Sequence, residues 1–252
     1  MLKLIKFEFR KVFRSKYLYI IFGIGLFITL VTIPMIWLAN SVLAEIGEPT
    51  VPYSGYYAGK TALTSCFALM TGIFIGIYAC EDFAQGTNKS IIGKGYNRLA
   101  LFYSKYLVSL ILLVGYAIIL VLASLGLGYA IYGDGGMSVD DNVAVIFLGQ
   151  LLCVIAYHAF FFAVSYSIGK TAAAIAINIV VPAVLEVIIA IIDVLINSED
   201  FLLQNFVIDG ALANLSSTFT NTDILLPSML VLLGYIAICN GLGILIAQRK
   251  QF

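Results

Sequence analysis

Two carboxylates and one imidazole lie inside long apolar stretches of the sequence, where a charge is costly and is therefore a candidate for function. Glu186 and Asp193 are seven residues apart in one stretch, which places both on one face of a helix. His158, the single histidine of the chain, lies in the preceding stretch. The two carboxylates could line a water-filled cavity and bind a cationic substrate, and His158 could pair with Glu186.

Each of these residues also has a structural interpretation. Glu186 can be protonated and hydrogen-bonded to a neighbouring helix, and Asp193 can simply lie where its helix meets water. His158 can be a buried histidine whose hydrogen bonds are satisfied in the core. No Lys or Arg lies within the apolar stretches to pair with the acids, and the sequence leaves both interpretations open.

Enzymatic and metal chemistry fit these residues poorly. An intramembrane enzyme needs a constellation such as a Ser/His dyad, paired aspartates or a histidine-rich zinc site, which one histidine and two acids on one helix do not supply. The four cysteines lie in or at the ends of apolar runs, without the spacing of metal ligands. The sequence therefore predicts no catalytic residue and no metal site. A stand-alone intramembrane enzyme or ion-coupled carrier that uses these three residues is kept as the alternative function.

The elements that must position these residues are predicted to be membrane-spanning helices. Apolar residues make up 62% of the 252 positions and charged residues 11%, against roughly 25% charged in a soluble domain. Such a chain has too little polar surface to cover a soluble globule, so we expect an all-α membrane protein. Stretches long enough to cross a hydrocarbon core of about 30 Å recur six times. The predicted spans are about 17–39, 61–80, 106–132, 143–168, 171–196 and 224–247.

The distribution of charge predicts the orientation of these spans. Basic and acidic residues alternate along the chain, as they do on opposite faces of a membrane. Six spans put both termini on one side, which then holds 13 of the 14 Lys and Arg residues, with Lys60 on the other. The positive-inside rule therefore predicts cytoplasmic termini.

Two segments outside the spans are predicted to lie against the membrane. Residues 1–16 carry Lys or Arg at helical spacing with apolar residues on the other faces, which is typical of an interfacial amphipathic helix. Residues 197–223 hold more apolar side chains than a solvated loop needs and are predicted to form a re-entrant segment in the outer leaflet. Three glycine pairs within spans are predicted to allow close helix approach. They are Gly23 and Gly25, Gly126 and Gly128, and Gly241 and Gly243.

The segment Glu81–Lys105 is the one substantial cytoplasmic loop of this topology, and it contains more than the positive charge that orientation requires. A short helix is predicted within it, with Thr87 as its cap. Ile91 and Ile92 form an apolar patch on that helix, which could enter the groove of a partner.

On these features the chain resembles the permease subunits of type-2 ABC exporters, the ABC-2 membrane family. The resemblance covers nearly the whole chain, from the amphipathic N-terminal helix through six spans to the re-entrant segment between spans 5 and 6. Its most specific part is the pattern of the loop between spans 2 and 3. There the chain has an acid, a Gly-Thr pair and a basic residue, followed by an Arg and finally by Lys105 before span 3. In the family this loop holds a coupling helix that sits in a cleft of the ATP-binding subunit, which implies a coupling helix at about residues 84–95. The residues implied to carry coupling are Glu81, Gly86, Thr87, Lys89, Ile91, Ile92 and Arg98.

The resemblance also implies partners and a location. No Gly-x-x-x-x-Gly-Lys-Ser/Thr sequence occurs in the chain, so ATP and Mg²⁺ are expected on two copies of a separate ATP-binding subunit and no cofactor on this chain. Residues 1–252 would form a single ABC-2 transmembrane domain, half of a family pore, which implies a second permease copy or a related permease. Spans 2 and 5 would line the path.

The expected setting is a bacterial plasma membrane, with lipid around the chain and no nucleic-acid partner. Compact bacterial members of the family often move antimicrobial or self-made amphipathic peptides. The expected function is therefore ATP-driven export of a hydrophobic or amphipathic molecule, such as a peptide.

Overall fold

The computed structural model describes residues 2–46, 53–64, 66–133, 143–196, 203–217 and 222–249. Within these ranges the chain forms ten α-helices and one 3-10 turn, Leu203–Phe206, and no strand. The helices are α1 (Leu2–Arg14), α2 (Lys16–Glu45), α3 (Gly55–Lys60), α4 (Phe67–Ala84), α5 (Thr87–Gly93), α6 (Arg98–Tyr132), α7 (Val143–Ile168), α8 (Thr171–Ile196), α9 (Ile208–Ser216) and α10 (Thr222–Arg249).

Six of the described helices are long and apolar enough to cross a membrane, namely α2, α4, α6, α7, α8 and α10. The prediction of an all-α chain with six candidate spans is therefore confirmed. At 1.5 Å per residue the 18 residues of α4 reach about 27 Å and the 35 residues of α6 about 52 Å. Helix α6 is thus longer than the roughly 30 Å hydrocarbon core.

Helix α7 lies at the centre of the bundle and packs against α4, α6, α8, α9 and α10. Helix α4 packs in turn against α2 and α8. The outward faces of α2, α8 and α10 consist mostly of exposed apolar side chains. Such faces are compatible with lipid, which is as apolar as these side chains.

The end of the bundle that holds α1, α5, the start of α6 and the turn between α7 and α8 is called the basic end below. Helix α1 packs against α2 and α6 there. It buries Leu4, Glu8 and Val12, which follow one another at four-residue spacing on one face. Most of its Lys and Arg side chains are exposed, and Lys11 is half-buried.

The opposite end holds α3, the 3-10 turn and α9. Ser54 caps α3 by accepting a hydrogen bond of 3.1 Å from the backbone amide of Tyr57, and residues 61–64 form turns after it. For this reason α4 begins at Phe67, six residues after the predicted start of span 2 at Thr61. Helix α6, by contrast, begins at Arg98, eight residues before the predicted start of span 3.

One glycine of each predicted pair allows close packing. A Cβ atom added at Gly25, Gly128 or Gly243 would lie 2.0, 2.5 or 2.9 Å, respectively, from a neighbouring side chain. The expectation fails for the other glycine of each pair, because a Cβ atom there would have no neighbour within 4 Å. Those glycines are Gly23, Gly126 and Gly241.

Candidate functional site

Charged side chains from three helices meet at the basic end. Asp82, in the last turn of α4, is fully buried and forms ion pairs with Lys11 of α1 and Lys105 of α6. Lys105 is also fully buried, and an oxygen of Glu81 lies 3.1 Å from the Lys11 Nζ atom. A carboxylate shared between two ammonium groups offsets part of the cost of taking all three charges out of water. Lys11, Glu81, Asp82 and Lys105 are called the charge cluster below.

Tyrosines extend the charge cluster along α1 and α2. The hydroxyl of Tyr78 donates a hydrogen bond of 3.0 Å to the buried carboxylate of Glu8. The Lys105 Nζ atom lies 5.2 Å from the centre of the Tyr78 ring, within the range of a cation–π interaction. The hydroxyl of Tyr17 donates to Glu81 over 3.4 Å. These contacts attach both α1 and the start of α2 to the last turns of α4.

The surroundings of Lys11 hold it in its charged form. Burial favours the neutral amine, but the hydrogen bond and charge of Asp82, together with the charge of Glu81, outweigh burial. The pKa of Lys11 is therefore raised above its ordinary value of 10.5. The ion pairs of Lys11 persist at neutral pH.

The short helix α5 follows the charge cluster directly along the chain. Gly86 occupies the position before the helix with φ at 66°, a left-handed conformation that favours glycine. Thr87 is the first helical residue, so the expectation that Thr87 caps the helix is wrong. Ile91 and Ile92 are half-exposed on α5, which leaves part of the predicted apolar patch accessible.

Two predicted coupling residues lie further along. Arg98 is the first residue of α6, and Asn97 caps that helix by accepting a hydrogen bond of 3.2 Å from the amide of Leu99. Lys89 belongs to α5, and its side chain falls outside the described part of the structure. The structure thus brings Glu81 into the charge cluster and spreads the other predicted coupling residues over the segment that follows. Their role in coupling stays a prediction.

His158 is fully buried at the centre of the bundle. Its Nε2 atom lies 2.7 Å from the hydroxyl of Ser109 on α6, and its ring lies edge-on to Tyr106 at 4.5 Å between ring centres. Among the described residues its Nδ1 atom has no hydrogen-bond partner. The possible pairing with Glu186 is therefore not formed, because His158 faces α6 and Glu186 is exposed on α8.

The two acids of α8 have different environments although they lie two turns apart. Asp193 is 9% exposed, and its carboxylate accepts hydrogen bonds of 2.8 and 2.9 Å from the backbone amides of Leu203 and Gln204. It caps the 3-10 turn as an N-cap aspartate caps a helix. Glu186 lies on the exposed apolar face of α8. The structure thus separates a predicted pair into one residue with a structural partner and one on the surface.

Further polar contacts at the opposite end were missed in the sequence. The hydroxyl of Tyr157 on α7 donates to the carboxylate of Asp209 in the first turn of α9. The side-chain amide of Gln150 donates to the hydroxyl of Ser216 at 3.2 Å and to the carbonyl of Lys60 at 2.7 Å. The bonds to Asp209 and Ser216 and the capping by Asp193 hold residues 203–217, called the α8–α10 connection below, against α7 and α8.

Most of the chain, including the charge cluster, matches one known protein family. A family model described as ABC-2 family transporter protein matches residues 4–193. The chain is a member of the ABC-2 transporter family. No curated protein and no solved structure matches it.

The ABC-2 match identifies the chain as a membrane transport subunit of a family that normally works with ATP-binding subunits. It begins in α1 and ends at Asp193, so it includes the charge cluster, α5, His158 and Glu186. The α8–α10 connection and α10 lie beyond the matched range.

Asp82 is the residue of the ABC-2 chain that sequence reasoning missed at the basic end. Adjacent positions on a helix point about 100° apart, so Asp82 faces the bundle interior while Glu81 lies at its edge, with a side chain that is 25% exposed. A signal was available, because Asp82 continues the line of Ile75 and Tyr78 at helical spacing, and both of these are fully buried. The sequence pattern singles out Glu81 as the acid at the membrane exit and gives Asp82 no role.

Proposed function

We propose that this chain is the permease subunit of an ATP-driven ABC exporter. It forms the transmembrane pathway with a second permease copy and works with two copies of a separate ATP-binding subunit, which bind ATP and Mg²⁺. The family match over residues 4–193 carries this proposal, because it covers α1, the loop between α4 and α6, and five of the six candidate spans. The exporter is therefore favoured over a stand-alone enzyme or ion-coupled carrier.

The basic end faces the cytoplasm in this proposal. If all six candidate helices cross the membrane, 13 of the 14 Lys and Arg residues lie on that side. Cytoplasmic loops of membrane proteins carry such an excess of basic residues. The ATP-binding subunits would then meet α5 on the same side.

Helix α5 is the proposed coupling helix. It continues from the last turn of α4 through Gly86, and Asp82 in that turn is ion-paired with Lys11 of α1 and Lys105 of α6. A movement of α5 would therefore reach three other helices through one buried carboxylate. The half-exposed Ile91 and Ile92 supply an apolar surface that a cleft in the ATP-binding subunit can cover.

The proposed substrate is a hydrophobic or amphipathic molecule such as a peptide, moved along a path lined by α4 and α8. Little of α8 is fully buried, and Glu186 lies near its middle among exposed apolar side chains. Intramembrane carboxylates almost always face a bundle interior or a water-filled cavity. This supports a second permease copy or an aqueous path against α8, where Glu186 would meet a cationic group of the substrate.

The experiment that tests coupling reconstitutes the chain in lipid vesicles with an ABC ATP-binding subunit from a neighbouring gene. ATP hydrolysis and uptake of a dye-labelled amphipathic peptide are measured for wild type, Gly86→Val and Gly93→Ala. Gly86 has no neighbour within 4 Å of an added Cβ atom, so valine acts there through the left-handed backbone. Gly93 is equally open but lacks that conformation, which makes it the matched control.

We expect Gly86→Val to lower the amount of peptide moved per ATP by about five- to thirtyfold, given a backbone cost of about 1–2 kcal/mol. Gly93→Ala should resemble wild type. Equal transport by all three proteins would exclude α5 as the coupling helix. Failure of the chain to bind the ATP-binding subunit would contradict the exporter itself.

A further inference from the structure

An apolar groove of about 440 Å³ runs along the surface between α2 and α6, beside the end of α1. Its two walls are residues 18–26 of α2 and 111–119 of α6. Phe22 and Tyr116 stack between the walls with ring centres 4.1 Å apart. Few polar atoms line the groove, so its surface suits a hydrocarbon chain.

The dimensions of the groove fit one lipid chain. Each wall extends over nine residues, about 12 Å along its helix axis. This length approaches the depth of one leaflet, which is half of a hydrocarbon core of about 30 Å. The volume lies within the range of about 300–1,000 Å³ that small-molecule sites occupy.

Glycines keep the groove open. Gly23 on α2 and Gly115 on α6 both line it, and a Cβ atom added at either would have no neighbour within 4 Å. A side chain at these positions would project into the groove without displacing protein atoms. The groove can therefore be filled by mutation while the packing of the two helices is kept.

Exposed cations lie next in sequence to residues that line the groove. The hydroxyl of Tyr19 donates a hydrogen bond of 3.0 Å to the carbonyl of Phe13, and both residues line the mouth. Arg14 and Lys16 lie between them in sequence and are exposed. Among the residues that the structure describes, neither forms an ion pair, and Arg10 one turn earlier is also exposed.

We propose that this groove binds one anionic phospholipid, with an acyl chain between α2 and α6 and the phosphate at Arg14 and Lys16. A zwitterionic lipid would offer these cations less net charge. A second copy docked by the same face would bring two basic α1 helices together, which like charges disfavour. An anionic phospholipid is complementary to both the apolar walls and the charged mouth.

The test counts phospholipid retained by the purified chain, by native mass spectrometry, after incubation with equal phosphatidylglycerol and phosphatidylcholine in neutral detergent. Wild type is compared with Gly115→Leu, which fills the groove, and with the double change Arg14→Gln and Lys16→Gln. Gly126→Leu is the matched control, because Gly126 is an equally open glycine of α6 outside the groove. Size-exclusion elution of each variant reports both folding and oligomeric state.

Wild type and Gly126→Leu should retain one phosphatidylglycerol per chain in preference to phosphatidylcholine. Gly115→Leu should lose the retained lipid, and the double change should lower the preference for the anionic lipid about fivefold for each cation removed. Equal retention of the two lipids by wild type would overturn the proposal. It would also be overturned if Gly115→Leu kept its phosphatidylglycerol, or if that variant changed the oligomeric state and so identified the groove as an interface between copies. Since Arg14 and Lys16 are exposed, the double variant tests the headgroup site even if Gly115→Leu folds poorly.

Discussion

The two ends of the bundle both use a buried carboxylate to hold a peripheral segment, but they give it different partners. At the basic end Asp82 lies between two ammonium groups, Lys11 of α1 and Lys105 of α6. At the opposite end Asp193 accepts hydrogen bonds from two consecutive backbone amides at the start of the α8–α10 connection. Coulombic attraction falls slowly with distance, whereas a hydrogen bond weakens steeply when its angle changes.

The difference bears on which parts of an ABC-2 subunit can move. Helix α1 can shift by small distances relative to α4 and keep most of its attraction to Asp82, because flexible lysine side chains follow the carboxylate. The amides of Leu203 and Gln204 are fixed in the backbone, so Asp193 holds the α8–α10 connection in one orientation. We therefore expect removal of charge to matter most at the basic end, and removal of a hydrogen-bond acceptor to matter most at the opposite end.

The largest expected effect is that of Asp82→Asn. The change leaves Lys105, which is fully buried, without its counter-charge. Breaking a buried ion pair by removing one partner costs about 3–5 kcal/mol. We expect a loss of that size in the free energy of unfolding, measured by denaturant titration in mixed micelles.

Two further variants sharpen this test. Glu81→Gln is the control, because the Glu81 side chain is 25% exposed and its pair with Lys11 should contribute less than about 1 kcal/mol. Adding Lys105→Met to Asp82→Asn should recover part of the loss, because it removes the uncompensated charge. If Asp82→Asn costs no more than Glu81→Gln, the charge cluster does not hold the basic end together.

The next effect in size is that of Asp193→Ala at the opposite end. The change removes the acceptor for the amides of Leu203 and Gln204, and loss of a helix cap costs about 0.5–2 kcal/mol. Hydrogen exchange of these two amides should accelerate about tenfold, as mass spectrometry of the peptide that contains them can measure. Asp193→Asn keeps a side-chain oxygen and should show a smaller change.

Asp193 was also predicted as a residue of the substrate path, and the same pair of variants separates the two roles. A capping role requires exchange to increase in the order wild type, Asp193→Asn, Asp193→Ala. Unchanged hydrogen exchange in Asp193→Ala together with lost peptide transport would contradict the capping role and would favour a role for Asp193 in the substrate path.

How far the sequence could predict this molecule depends on the scale considered. The six candidate spans follow from the length of apolar stretches, a property of the chain that needs no knowledge of neighbours. The partners of Asp82, Asp193 and His158 depend on how each helix is rotated about its own axis. Helices such as α7 are apolar around their whole circumference, so their sequences carry little of the periodicity that would define that rotation.

The start of α4 shows a second limit of the sequence. Residues 61–64 contain no charged side chain and join the apolar run of α4 in the sequence, but Ser54 begins a separate helix before them. The amide of Gly55 then bonds the carbonyl of Gly133 over 3.1 Å, which ties α3 to the end of α6. This contact joins residues far apart in sequence, and no local pattern indicates it.

The smallest expected effect is a pH dependence confined to the basic end. The pKa of Lys11 is raised in the folded chain above 10.5, so its stabilising contribution is fully present below about pH 10.5 and is lost as pH rises through the raised value. Because Lys11 is half-buried, we expect the loss to be about 1 kcal/mol or less.

Denaturant titrations between about pH 9 and pH 12 would measure this loss, with Lys11→Arg as control because a guanidinium stays charged throughout. Wild type should lose stability relative to Lys11→Arg over this interval. Asp193→Ala should lose stability with the same slope as wild type, because the contact of Asp193 with two backbone amides contains no lysine. Parallel curves for wild type and Lys11→Arg would mean that the charge of Lys11 adds nothing to the attachment of α1, and that Lys105 alone balances Asp82.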